Sequence, residues 1–329
     1  MNHRIIRSSL KLGPLCAIVF AVALGAWSDA AQSTRVAEQD SSTRQIVPPE
    51  AIAFTSIDVP GATSTTAVDV NSSGDVVGRF VGAGQTHGFL RNANGDFITL
   101  DYPGASFTVA SAINSDGDIV GWYALAAVPG PLTERHGYVL RNGEFTAIDP
   151  PGSQFTNPLG INPRGDITGR FCTALPCGRV GSGNYHGFLS EKGEFTTIDV
   201  PDSRETNVWK INPEGEAVGG FRLDGGPNRL FTLRHGDLTI FDLPGALPVS
   251  EDDGGINPKG DIVSFYCDAS PCDGVGAGAH GFLLDRGHLT TIDFPGAVGT
   301  GALGINPRGD IAGVYVDADG KTRGFLLKR

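Results

Sequence analysis

The chain has 329 residues, 25 of them basic and 36 acidic, for a formal charge of −11, with 47 glycines and 21 prolines. An acidic chain without lysine–arginine clusters argues against a nucleic-acid binder and against a protein held on anionic membranes, because both need local positive charge. So much glycine and proline in so long a chain points to many short elements joined by tight turns.

Residues 1–31 read as a signal peptide. Arg4, Arg7 and Lys11 form a basic start, 12–26 (LGPLCAIVFAVALGA) an apolar run, and Ser28-Asp29-Ala30 offers small residues for cleavage. The run of about 15 residues is short of the ~20 that a membrane span needs. An exported protein, secreted or periplasmic, is therefore expected, with no membrane insertion after cleavage. Its mature form would carry 22 basic and 35 acidic residues, a charge of −13. Residues 32–51 are polar, aperiodic and contain Pro48-Pro49, so they read as a disordered linker.

From residue 52 to 329 the chain repeats. GINPRGDITG at 160–169 returns almost letter for letter at 304–313. The asparagine recurs at Asn71, Asn114, Asn162, Asn212, Asn257 and Asn306, at intervals of 43 to 50 residues. Asn-Pro-Arg-Gly suits a turn: the Asn side chain bonds the backbone ahead, Pro presets φ, and Gly accepts positive φ. In the second repeat, 108–114 enters the turn and 118–123 leaves it. Residues 136–141 then meet an Asn142-Gly143 turn, and 144–149 returns. Four strands in about 45 residues is the size of one propeller blade.

The repeat region begins with one unpartnered last strand, 54–59, and ends with an unpartnered third strand, 324–327. Five whole blades and a sixth split between the termini result. The expected fold is therefore an all-β, six-bladed β-propeller of four-stranded blades. Pairing of the N-terminal strand with the C-terminal blade closes it and leaves no long sheet edge open. In this order the first strand of each blade is innermost. One face, termed the top, carries the long loops between second and third strands; the other carries the NPRGD-type turns.

The copies His186-Gly187-Phe188-Leu189, Phe195-Thr196-Thr197-Ile198-Asp199 and Gly304-Ile305-Asn306 with Gly309-Asp310-Ile311 resemble the HAF-type extracellular repeat of bacterial secreted proteins. The His-Ala-Phe core reads here as His-Gly-Phe or His-Gly-Tyr. The resemblance implies a secreted, propeller-like repeat protein and no particular chemistry.

Several residues bear on function. Third strands open on His87, His136, His186, Arg229, His280 and Arg323. Fourth strands end on Asp101, Asp149, Asp199, Asp242 and Asp293, with Asp58 for the split blade. Hairpin geometry sets each base opposite its acid. A His-Asp pair can serve as half of a catalytic triad, but repetition, and Arg in place of His, argue for cross-strand pairs that stabilise each hairpin. Residues 114–118 (NSDGD) and 317–320 (DADG) faintly resemble calcium loops but lack the later Glu, so no metal is expected. No cofactor is expected either. Cys172 with Cys177, and Cys267 with Cys272, are spaced for two local disulfides stapling long top loops.

Function should reside in what departs from the repeat. Near the axis and top, the departures are Trp209 and Lys210 in the fourth repeat and Glu251, Asp252 and Asp253 in the fifth. An indole beside an acidic cluster suits a sugar or a cationic group, with an aromatic gap-filler and a solvated charge run as the plainer reading. The expected function is a monomeric binding module for an extracellular glycan, peptide or surface polymer. A propeller-type lyase or glycoside hydrolase, with no catalytic residue identified, and a purely structural surface protein are the alternatives.

Overall fold

A computed structural model describes residues 53–125, 134–177, 185–224, 226–243, 253–269, 272 and 274–329. The expected signal peptide and linker, Glu251, Asp252 and parts of the three long top loops lie outside the described residues.

The described chain is all β and propeller-like, with four four-stranded sheets and one of eight strands. Strand β1 (Ala53–Ile57) is followed by the meander β2 (Ser64–Val70), β3 (Val76–Gly82), β4 (Gln85–Arg91) and β5 (Phe97–Leu100). The next meander is β6 (Phe107–Ile113), β7 (Ile119–Ala124), β8 (His136–Arg141) and β9 (Glu144–Ile148). One parallel bridge, Thr86 to Phe107, joins these two meanders into the eight-stranded sheet. Then come β10 (Phe155–Ile161), β11 (Ile167–Cys172), β12 (His186–Glu191) and β13 (Glu194–Ile198), each paired with its sequence neighbour. β14 (Ser203–Ile211), β15 (Ala217–Leu223), β16 (Asn228–Arg234) and β17 (Asp237–Phe241) repeat the pattern. So do β18 (Gly255–Ile256), β19 (Ile262–Cys267), β20 (Ala279–Asp285) and β21 (His288–Ile292). Finally β22 (Gly299–Ile305), β23 (Ile311–Val316) and β24 (Thr322–Lys328) form a sheet that β1 completes, antiparallel to β24 from Ala53–Lys328 to Ile57–Gly324.

The repeated letters have repeated places. The third residue of each His-Gly-Phe motif is Phe89, Tyr138, Phe188, Phe231, Phe282 or Phe325, and all are fully buried. Each such ring contributes roughly 1.5–3 kcal/mol of burial. Opposite five of the six rings a glycine of the preceding strand makes room, with Ser264 in that place beside Phe282: a Cβ on Gly169 would stand 2.7 Å from Phe188 and 2.2 Å from the Asn157 carbonyl. Four of the five outer hairpins turn through a residue and a glycine both at positive φ, as at Asn142 (50°) and Gly143 (82°), which fits the twist of paired strands.

The asparagine turns do more than the local pattern requires. Asn306 Oδ1 accepts from the amides of Arg308 and Asp310 at 2.9 and 3.0 Å, which forms the expected turn. Its Nδ2 also donates to the Asn71 carbonyl at 3.0 Å, 235 residues away. Asn71, Asn114, Asn162 and Asn212 likewise donate to the carbonyls of Asn114, Asn162, Asn212 and Asn257, at 3.2–3.4 Å. Buried amides thus link successive turns around the bottom end of the axis. Arg308 pairs with Asp310 at 2.7 Å and donates to the Ser72 carbonyl, and Arg164 does the same with Asp166 and the Pro213 carbonyl. The Arg-Gly-Asp letters therefore serve the turns.

Candidate ligand-binding site

Five of the inner strands carry a β-bulge, three residues before the asparagine: at Val68, Ser111, Leu159, Trp209 and Leu303. The extra residue re-aims the side chains that come after it on the strand. Asp69 of β2 and Lys210 of β14 then meet at the axis, Nζ to Oδ2 at 3.2 Å. Lys210 also donates to the Ser111 carbonyl at 2.7 Å, and Asp69 accepts from the amides of Val70 and Ile113. Small residues make the space: a Cβ on Gly304 would stand 2.5 Å from Asp69 Oδ1. Burial pushes the Asp69 carboxyl up, and the Lys210 charge pulls it part of the way back.

The structure places Trp209 and Lys210, expected to flank one ligand, in two different surroundings. The indole is 1% exposed and packs with Leu159, Val218, Leu230 and Ile256. Lys210, the next residue on the strand, points away from it into the axis, where its charge is taken by Asp69. The indole offers no surface to a ligand, while Lys210 lines a small cavity at the axis together with Asp69. Asp253 is half-buried, and its carbonyl accepts from the Ser264 hydroxyl at 2.7 Å. Glu251 and Asp252 are outside the described residues.

The base–acid positions of the outer hairpins are in contact. His87, His136, His186 and His280 each bring Nδ1 within 2.9–3.0 Å of Asp101, Asp149, Asp199 and Asp293 respectively. Arg229 reaches Asp242 at 2.8 Å, and Arg323 pairs with both Asp58 and Asp317. The hydrogen bond to Asp199 raises the His186 pKa. Asp317, first residue of the calcium-like tetrad, spends its carboxylate on the amides of Asp319 and Lys321 and on Arg323. Both disulfides are formed, Cys172–Cys177 and Cys267–Cys272. The first packs against Phe155, with Tyr185 beside it.

Those two rings belong to a feature that the repeat pattern did not single out. At the top ends of β6, β7, β10 and β11, side chains stack in an unbroken ladder. Phe107 stacks on Trp122 with centroids 4.9 Å apart. The Arg135 guanidinium lies 4.3 Å over Trp122 and 4.7 Å over Phe155. Phe155 meets Tyr185 at 5.2 Å, and Arg170 lies 4.7 Å over Tyr185. Arg170 then donates to Asn207 Oδ1 of β14 at 3.3 Å. The ladder thus runs across three successive repeats.

Position in the strands explains it. Arg135 and Tyr185 immediately precede third strands and pair in parallel with Phe155 and Glu205 at the top of the next inner strand. Trp122 and Arg170 occupy one equivalent place in second strands, as does Arg79. Burial, and the positive charges of Arg170 and Arg79, push the Arg135 guanidinium down to about 10. Arg135 Nε is buried without a hydrogen-bond partner among the described residues, as is Oδ1 of Asn157, which is 3% exposed. Cations that crowd one another over aromatic rings, beside an unsatisfied amide oxygen, have the composition of a binding surface.

No family model and no curated protein sequence matches the chain. Solved structures do. TolB from Acinetobacter baumannii matches with a TM-score of 0.46 at 12% identity, over 80% of this chain and 54% of that one. The β-propeller domain of the Trilobed protease from Pyrococcus furiosus gives 0.50 at 8% identity, over 80% and 82%. Trypanosoma rangeli sialidase gives 0.51 at 9% identity, over 80% and 54%. The chain spans about half the length of the first and third of these. At such identities the likeness concerns the propeller fold alone.

Proposed function

We propose that the chain is an exported, monomeric, six-bladed β-propeller of the HAF-type repeat kind that acts as a binding module, its ligand held on the top face at the Arg135 ladder. The six-bladed reading counts the eight-stranded sheet as two blades joined by a single bridge. It is supported by the inner strands β2, β6, β10, β14, β18 and β22, which touch in cyclic order with β22 returning to β2. Terminal closure is supported by the β1–β24 pairing and by the Asn306 amide on Asn71. Two disulfides suit an oxidising compartment, and so agree with export. Among the described residues, no helix is long and apolar enough to cross a membrane.

The observation that carries the binding reading is the ladder itself. Six near-copies of one turn occupy the bottom face, with Arg164 and Arg308 spent on neighbouring turns. The top face carries the loops that vary, and there cations and rings of three repeats converge without being copied in the others. A rigid ring acquires one specific site through such departures. The ligand classes that fit are an extracellular glycan, a peptide or a surface polymer.

The test is a screen of extracellular polysaccharides and envelope fractions against wild type, Tyr185→Ala at the top, and Arg164→Ala and Arg308→Ala at the bottom. Binding is expected for wild type and both bottom variants, with at least about a tenfold loss for Tyr185→Ala, as for removal of an interface aromatic. Loss only in the bottom variants would reverse the functional face, and absence of any binding would leave the propeller a structural protein.

A further inference from the structure

The ladder favours one ligand chemistry. Its rings are already occupied: Trp122 lies between Phe107 and Arg135, and Phe155 is covered by Arg135 and flanked by Tyr185. What stacking does not use is the terminal Nη pair of the Arg135 guanidinium, which matches the two oxygens of a carboxylate. Arg79, an exposed residue of β3, adds a further charge that acts on Arg135. No carboxylate of the described residues offsets Arg135. In a chain of charge −11, Arg135 stands where the charges of Arg170 and Arg79 both act on it, a local exception to the surrounding field. Such repulsion is relieved when an anion arrives.

A second requirement comes from Asn157. It lies two residues after Phe155 on β10, hence on the same face of the strand, and opposite Arg170 in the pairing of β10 with β11. Its buried Oδ1 accepts nothing within the described residues. An anion alone cannot satisfy an acceptor, so the ligand should also carry a donor, such as a hydroxyl, close to its acid group.

We propose that the Arg135 ladder binds an acidic saccharide, with a uronate-type carboxylate on the guanidinium of Arg135 and a ring hydroxyl donating to Asn157 Oδ1. This assignment rests on the top-face binding reading above and deepens it. The Cys172–Cys177 bridge, packed against Phe155, holds the platform on which Arg135 lies.

The experiment is calorimetric titration of the full protein with an oligogalacturonate and with a neutral glucan of equal length, at fixed ionic strength. Wild type, Arg135→Met, Arg79→Met, Arg164→Ala and Tyr185→Ala are compared. The expected result is uronate binding at least about tenfold tighter than neutral glucan, as charged hydrogen bonds provide. Arg135→Met should lose it with little change in melting temperature, because the methionine chain keeps the apolar packing on Trp122 and Phe155. Arg79→Met, on the exposed side, should weaken binding in a protein whose fold it does not touch, and Arg164→Ala should bind as wild type. Equal binding of acidic and neutral oligomers, or full binding by both methionine variants, would overturn the saccharide carboxylate. Equal binding of poly-glutamate would overturn the saccharide. If the uronate fails while Tyr185→Ala still abolishes capture of a polymer in the screen, only this inference falls. If no polymer is captured at all, the binding reading falls with it.

Discussion

A Lys210→Met protein is expected to be about 3–5 kcal/mol less stable than wild type, the cost of leaving one partner of a buried ion pair uncompensated. Lys210 and Asp69 meet across the axis, each with a side chain only 11% exposed, so solvent screens the pair weakly. For a domain of this size that loss lowers the melting temperature by roughly 6 °C or more. The sign of the pH dependence can be worked out from the same pair. Burial already raises the Asp69 pKa above its ordinary value, and Lys210 is the largest influence lowering it. Without the lysine the folded-state pKa rises further while the unfolded value is unchanged. The penalty should therefore be largest above the raised folded pKa and shrink as pH falls through it, because a protonated Asp69 needs no partner. Adding Asp69→Asn should recover at least half of the loss. Denaturant melts at pH 8 and pH 5 check this. A single variant as stable as wild type, or no recovery in the double variant, would mean that the axial pair is not coupled.

Deleting residues 52–59 should have an effect as large. The deletion removes β1 and with it Ile57 and Val59, both buried, and Phe54, which packs edge-on against Phe294 and Phe325 with centroids 5.3 and 5.5 Å apart. Three such side chains amount to several kcal/mol of burial at roughly 1.5–3 kcal/mol each. The edge of β24 is exposed in the same stroke, and an open edge invites pairing with another chain. The expected product aggregates or melts without cooperativity in scattering and calorimetry. A truncated monomer with an unchanged melting temperature would show that the ring does not depend on its terminal strand. Removal of residues 32–50 is expected to be silent.

The scaffold was legible in the sequence because its residues recur. The turn at Asn306, the Phe325 ring and the Asn142-Gly143 hairpin each have copies, and a copied letter has a copied physical reason. The disulfides were legible from spacing taken together with the expected export. The axial pair was not. Asp69 looks like one more polar residue of a strand, and nothing local shows that the bulge at Val68 turns it toward a lysine three repeats later. Trp209 was conspicuous for the wrong reason, since a rare residue beside a charge resembles a site until its 1% exposure is known. The ladder was missed for the opposite reason. Arg135, Tyr185 and Trp122 stand at ordinary strand ends, and their meaning appears only when neighbouring repeats are packed side by side.

The most direct test of the binding reading is a crystal structure of the protein with the polymer fragment that it captures. The account predicts density at the top rim, in contact with Arg135 and reaching Asn157 and Tyr185, with the bottom face empty. Density seated at the asparagine ring or beside Arg308, with the top rim empty, would contradict it.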